Sequence, residues 1–239
     1  MRSVVVTGGG TGIGREIAAR FAAEGCDVVI TGRRSEVLRA ALETIGSSAR
    51  AITMDGTDPQ QTAAAAQEIG AVDVLVNNAG GNTDFDRQTP RNLDELADAW
   101  RQNLDSNVLT AVLMTTALLP AMPSGSSVIT IGSIAADKGA GSYGAAKAAV
   151  ASWNVDLARQ LGDRGITANV VSPGYIADTE FFRDKLTDER RGSLIEAAMT
   201  NRAGTPDDIA ATVRFLASPG ARQITGQTIA VNGGEWTTR

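Results

Sequence analysis

The stretch Thr7-Gly8-Gly9-Gly10-Thr11-Gly12-Ile13-Gly14 limits what this chain can become more than any other. Before it, Val4, Val5 and Val6 form a β-branched run that favours a strand; after it, residues 15–24 place Ile17, Ala18, Phe21 and Ala22 at helical spacing. The local order is therefore strand, glycine turn, helix. Such a turn brings bare backbone N–H groups and the positive end of a helix dipole to one point, which is what a phosphate or pyrophosphate requires. Glycines at 8, 12 and 14 remove Cβ atoms that would obstruct a tight turn, an approaching ligand and close helix–strand packing. The spacing is G-x-x-x-G-x-G rather than G-x-G-x-x-G, and no Lys-Ser/Thr pair follows as in a P-loop. A plain turn in an ordinary βα unit is the competing reading of this stretch alone.

At 239 residues the chain suits one domain, 1–239, with a large core. A formal net charge of −5 argues against nucleic acid and anionic membrane as partners. The single cysteine, Cys26, has no intrachain partner, and its apolar setting marks it as a small buried filler. The first strand starts almost at Met1, which leaves no room for a signal peptide, and no apolar run approaches the roughly 20 residues of a membrane span. The expected location is the cytoplasm. Histidine is absent, which excludes Ser-His-Asp hydrolysis and histidine-based metal sites, and the scattered carboxylates suggest no metal cluster.

Further β-branched runs at 27–31, 51–54, 72–76, 127–131, 166–171 and 225–234 alternate with helical patterns at 35–45, 59–69, 104–121, 143–161 and 206–217, with another helix start near Asn92. This alternation predicts an α/β fold: a single Rossmann-type, doubly wound parallel sheet of about seven strands with helices on both faces. About 20 residues after the glycine turn, where an acidic residue would bind the ribose of NAD, stand Arg33 and Arg34. A guanidinium fork suits a 2′-phosphate, so the sequence predicts NADP(H) over NAD(H). Asp55 ends the third run, placed either to accept from an adenine amine or to start the next turn. Asn77-Asn78-Ala79-Gly80-Gly81 ends the fourth with small and amide residues that let backbone lie against a ligand. Asn107 stands mid-helix, where an amide faces solvent or disturbs the backbone. Ser133 ends the fifth run, and Tyr143 and Lys147, four apart, share a helix face, where an ammonium would lower the phenol pKa from about 10.

Thr-Gly-x-x-x-Gly-x-Gly, Asn-Asn-Ala-Gly, Ser133 and Tyr-x-x-x-Lys in this order strongly resemble the short-chain dehydrogenase/reductase family, from Val4 to Gly234, and most of all its 3-oxoacyl-[acyl-carrier-protein] reductase-type members. The resemblance implies four catalytic roles. Tyr143 would protonate the carbonyl oxygen, Ser133 would hydrogen-bond it, Lys147 would bind the nicotinamide ribose and depress the Tyr143 pKa, and Asn107, chosen over Asn103, would hold a water that relays protons. It implies cofactor contacts from Gly8, Thr11, Gly12, Ile13 and Gly14 in the turn, from Arg33, Arg34 and Asp55, from Asn77, Ala79 and Gly80, from Tyr143 and Lys147, and from Pro173, Gly174, Ile176 and Thr179. It further implies a mobile substrate lid at about 180–202 and a homotetramer or homodimer built on the helices at 104–121 and 143–161 and on the last strand. Two departures stand out: Ser133 and Tyr143 are ten apart, about three fewer than usual, and Thr11 replaces a basic residue common in NADP-preferring relatives. The expected activity is NADPH-dependent reduction of a ketone, thioester-like or polyketide-like. A dehydrogenase of a sugar, polyol or other secondary alcohol, and an NADP-binding sensor or scaffold without turnover, are the alternatives.

Overall fold

A computed structural model describes residues 1–182 and 185–237. Seven strands form one sheet: β1 (Ser3–Thr7), β2 (Asp27–Gly32), β3 (Ala49–Thr53), β4 (Val74–Asn77), β5 (Ser127–Ile131), β6 (Thr167–Pro173) and β7 (Thr228–Val231), in the order β3-β2-β1-β4-β5-β6-β7. Every pairing is parallel, as expected where helical crossovers separate the strands. The chain winds outward from β1 in one direction to β3, returns to β4 on the other side of β1, and continues to β7. The crevice between the carboxyl ends of β1 and β4 is therefore the topological switch point, where ligands bind in open sheets of this kind.

Alternation along the strands fills a core on each face. Val4 and Val6 of β1 pack with α1 (Gly12–Ala23), α2 (Ser35–Ile45) and α9 (Pro206–Leu216), while Val5 packs with α3 (Pro59–Ile69), α5 (Thr110–Leu118) and α7 (Gly141–Gly162). Phe21 of α1 is the largest fully buried side chain, and its truncation to alanine would cost about 3–5 kcal/mol. Helix starts follow local chemistry: Asp58 accepts from Gln60 and Gln61 N–H at the head of α3, and Thr205 and Asp208 form a capping box at the head of α9, each with a proline at the first helical position.

One expectation changes. The helix expected at 104–121 belongs to a continuous run, Leu93–Ala121, made of α4 (Leu93–Leu104), a π-helical turn at Asp105–Leu109, α5 and a 3-10 turn. An 18-residue stretch within it has a mean hydropathy of 1.3, enough for a membrane span by length and composition alone, whereas the run as a whole also carries Asp94, Glu95, Asp98, Arg101 and Asp105. One face of it packs on α3 and α7, and polar Asn103 and Asn107 are buried within it. Within the charged stretch 180–202, α8 (Asp188–Ala197) is helical, and residues 183 and 184 lie outside the described residues.

Candidate active site

The two turns at the switch point are sewn together by one threonine and one asparagine. The Thr7 hydroxyl accepts from the N–H groups of Asn78 and Ala79, both at 3.0 Å, and the Asn78 side-chain amide donates to the carbonyls of Thr7 and Gly8, again at 3.0 Å. So close an approach explains the glycines. A Cβ on Gly8 (φ +65°) would stand 2.9 Å from Ala79 Cα, and one on Gly14 would stand 2.4 Å from the Gly8 carbonyl oxygen and 2.3 Å from Asn78 Nδ2. Gly12 adopts φ +49°, and Thr11, in extended conformation, is the N-cap of α1 without a side-chain capping bond. Thr11, Gly12 and Ile13 thus present the uncapped head of α1 to the crevice, a cradle in which the backbone remains available to an anion. The residues present fit a dinucleotide.

Thr179 reaches the same cradle from the far side of the sheet. Beyond Pro173, whose carbonyl accepts from Ile134 N–H, the chain passes Gly174, packed on Asn232, and Ile176, buried and bridged to Gly204. Asp178 then takes φ +56°, a left-handed conformation aspartate tolerates, and delivers the Thr179 methyl to within 3.4 Å of a Cβ built on Gly12, with its hydroxyl bonded to the Ile176 carbonyl. At the head of α2, Arg33 and Arg34 are exposed; Arg34 pairs with Glu180 at 3.4 Å, and Arg33 lies near enough to help hold Asp55 below its ordinary pKa. The main cause of that depression is Thr57, whose N–H and hydroxyl both donate to Asp55 Oδ1, so Asp55 does start its own turn. Asn77 points away from the crevice: its amide is buried and donates to Thr115 at 2.8 Å, while neighbouring Asn78, not singled out from the sequence, makes the contacts at the turn.

The catalytic candidates converge at the carboxyl end of β5. Ser133 follows that strand; its hydroxyl accepts from Ala135 N–H at 3.1 Å and stands close enough to the Tyr143 hydroxyl to draw its pKa down, Tyr143 being delivered by the first turn of α7 after the short helix α6 (Ala135–Lys138). The shortened loop therefore still closes Ser133 onto Tyr143. Lys147 is buried one turn further on, with Nζ donating to the Ile131 carbonyl at 2.9 Å and lying 5.8 Å from the Tyr143 ring centroid. Burial pushes Tyr143 up to about 12, only partly opposed by the Ser133 hydroxyl, and pushes Lys147 down to about 8. The lowered phenol pKa expected from the sequence is not found: the ammonium is engaged by a carbonyl, and loss of water dominates. Tyr143 is thus a proton-bearing group at neutral pH.

Asn107 sits in the π turn. Its Oδ1 accepts from Gly81 N–H at 3.1 Å and its Nδ2 donates to the carbonyls of Gly81 and Asn103, at 3.0 and 2.9 Å. Gly80, at φ +141°, must be glycine because a Cβ would stand 2.5 Å from Asn107 Oδ1. Asn107 therefore locks the turn after β4 to the helix that packs on α7. Asn103 serves elsewhere: its Nδ2 donates to Ser142 Oγ and Asp84 Oδ1, and Ser142 donates to Asp84 Oδ2, fastening the short 3-10 segment Thr83–Asp86 to the start of α7. No group of potential metal ligands occurs among the described residues.

A switch-point dinucleotide cradle beside a half-buried Ser133 and a buried Tyr143–Lys147 pair marks an oxidoreductase that uses a nicotinamide dinucleotide. The family model described as enoyl-(acyl carrier protein) reductase matches residues 8–235. The 3-oxoacyl-[acyl-carrier-protein] reductase FabG of Escherichia coli K12 is 36% identical, over 96% of this chain and 95% of that protein. A short-chain dehydrogenase from Burkholderia cenocepacia, crystallised in complex with NADP, is 34% identical over 98% of this chain and 97% of its own, with a TM-score of 0.85. A Brucella melitensis short-chain dehydrogenase/reductase described as glucose/ribitol dehydrogenase is 33% identical over 99% and 97%, with a TM-score of 0.87. The chain belongs to the short-chain dehydrogenase/reductase family and is an oxidoreductase.

Proposed function

We propose that the protein is an NADPH-dependent carbonyl reductase that converts a ketone to a secondary alcohol, with Tyr143 as general acid. The observation that carries this reading is the buried Tyr143, its hydroxyl beside Ser133 and held protonated by desolvation. Ser133 and Tyr143 both present hydroxyls to one point, so a carbonyl oxygen placed there accepts two hydrogen bonds as negative charge develops on it. When bound, the nicotinamide supplies the hydride that reduces the carbonyl carbon. Tyr143 then gives up its proton to the oxygen, and Lys147, buried and able to hold a proton or release one near neutral pH, returns it. Asn107 positions the water that feeds this relay, at a π turn already packed on α7. Gly8, Thr11, Gly12, Ile13 and Gly14 cradle the pyrophosphate, Ala79 and Gly80 line the crevice, and Pro173, Gly174, Ile176 and Thr179 close it from the β6 side. Arg33 and Arg34 meet the 2′-phosphate and set the preference for NADP(H), with Asp55 beside them at the adenine.

The substrate class on this reading is a 3-oxoacyl thioester-like or polyketide-like ketone, covered by residues 180–202, in a cytoplasmic homotetramer. Leu96, Trp100, Leu104 and Leu109 on the Leu93–Ala121 run and Val155 on α7 form an exposed apolar face on the helices expected to meet a second copy, which supports that assembly. The test is NADPH consumption against a ketone panel, with NADH and Tyr143→Phe as controls. Turnover that requires NADPH and falls about 10²–10⁴-fold in Tyr143→Phe is expected; wild-type turnover in that variant refutes the assignment.

A further inference from the structure

The chain has five phenylalanines and two tyrosines, and five of these seven rings, Tyr143 among them, form one connected cluster. Phe181 lies 5.6 Å from the Tyr143 ring and 5.6 Å, edge to face, from Phe85. Phe182 stands 5.0 Å from Phe181, 5.8 Å from Phe85 and 5.8 Å from Tyr175. All these separations fall in the range in which aromatic pairs attract beyond their mere area, and three unconnected chain segments contribute to them. The segment that carries Phe85 is held in place by the Asp84–Asn103–Ser142 network, and Lys185 Nζ donates to the Phe85 carbonyl.

A ketone whose oxygen is held by Ser133 and Tyr143 enters beside Phe181, whose ring centroid lies 5.6 Å from that of Tyr143. Bonds already engage Asp84, Asn103, Ser142 and Lys185 around this cluster, so a polyol entering it would bury hydroxyls against ring carbons. A flat aromatic group instead exchanges one ring contact for another. We propose that the ketone this site takes carries an aromatic ring directly on its carbonyl carbon, and that Phe181 and Phe85 hold that ring. The proposal rests on the reductase reading above and, of the two substrate types named there, selects an aromatic, polyketide-like ketone over the thioester.

The test compares kcat/KM at saturating NADPH for three probes: acetophenone, cyclohexyl methyl ketone as its saturated counterpart, and acetoacetyl-N-acetylcysteamine as an aliphatic thioester. Acetophenone is expected to exceed both others by about tenfold or more, since one or two good ring contacts are worth that factor. Phe181→Leu and Phe85→Leu should each lower the acetophenone-to-cyclohexyl ratio about threefold to tenfold while NADPH affinity, read by nicotinamide fluorescence, holds. That ratio would not move if the two rings served folding alone. A best rate on the thioester or the saturated ketone, or a ratio unchanged in both variants, overturns the proposal and leaves the reductase reading standing. Absence of turnover on every ketone with NADPH bound overturns both.

Discussion

Gly14→Ala asks whether the glycine turn is shaped by packing or only by chain flexibility. Gly14 lies in the first turn of α1, where alanine is intrinsically better than glycine by about 0.5–1 kcal/mol. Against this, the new Cβ would stand 2.4 Å from a backbone oxygen of Gly8 and 2.3 Å from the Asn78 amide, and neither is the free end of a flexible side chain. Forcing one carbon into a packed site costs about 1–3 kcal/mol, and more where backbone must move. The net expectation is a loss of about 1–2 kcal/mol, a fall in Tm of about 2–8 °C for a domain of this size. Because the group that must yield belongs to the dinucleotide cradle, NADPH affinity should fall at least tenfold as well. Gly192→Ala is the control: it sits within α8 with nothing inside 4 Å of its Cβ and should gain about 0.5–1 kcal/mol without touching NADPH binding. Urea unfolding of both variants, followed by fluorescence titration with NADPH, decides the matter. A Gly14→Ala protein with wild-type midpoint and affinity would refute the idea that steric contact fixes this turn.

Lys147 should leave a mark on stability against pH. Its folded pKa of about 8 lies below the ordinary 10.5, so its contribution is present above pH 10.5 and is lost as pH falls through about 8, by about 3 kcal/mol. Unfolding of Lys147→Met, measured from pH 7 to 10.5, should lack that rise. Tyr143 acts in the opposite sense: raised from 10 to about 12, its contribution is lost as pH climbs through that interval, and Tyr143→Phe should flatten the loss. Replacing both Arg33 and Arg34 by alanine should weaken NADPH by tenfold or more while leaving NADH within about twofold, and the difference should shrink with added salt. Asp208→Asn should destabilise by about 1–2 kcal/mol at pH 7, since Asp208 completes the α9 capping box and takes a bidentate bond from Arg202; these bonds hold its carboxyl well below the usual range, so the deficit should narrow on acidification below about pH 4. Trp100→Glu, on the exposed apolar face, should shift light scattering toward smaller species.

Much of the fold was legible because its signals are local. Val4-Val5-Val6 and Val128-Ile129 read as buried strands and proved to be so, and the helices at 35–45 and 59–69 were found at the expected bounds. The disturbance suspected at Asn107 is the π turn, signalled by an amide where a helix prefers an apolar or straight-chain residue. What could not be read was partnership at long range. Asn78 and Asn77 are adjacent and chemically identical, yet strand alternation sends one to the Thr7–Gly8 turn and the other to Thr115. Phe85 and Phe181 are joined only through the tertiary fold, and no periodicity links them. The Tyr143 pKa was misjudged for a related reason: the spacing of Tyr143 and Lys147 reveals shared helix face, whereas desolvation depends on everything packed around it.

The order of the strands also bears on how the protein comes to exist. β1, β2 and β3, with their helices, lie within the first 69 residues and pair among themselves, so that half can assemble from contacts of modest sequence separation. Nothing reactive arises there. β4 must first register against β1, Val4 beside Val74, and only then do β5 and β6 bring Ser133, Tyr143 and Lys147 to the edge of the sheet. A chain still emerging from the ribosome would thus be able to shape the wall of the crevice from Thr7 to Ala79 well before Ser133, Tyr143 and Lys147 reach it, while Thr179, which packs on Gly12, arrives later still.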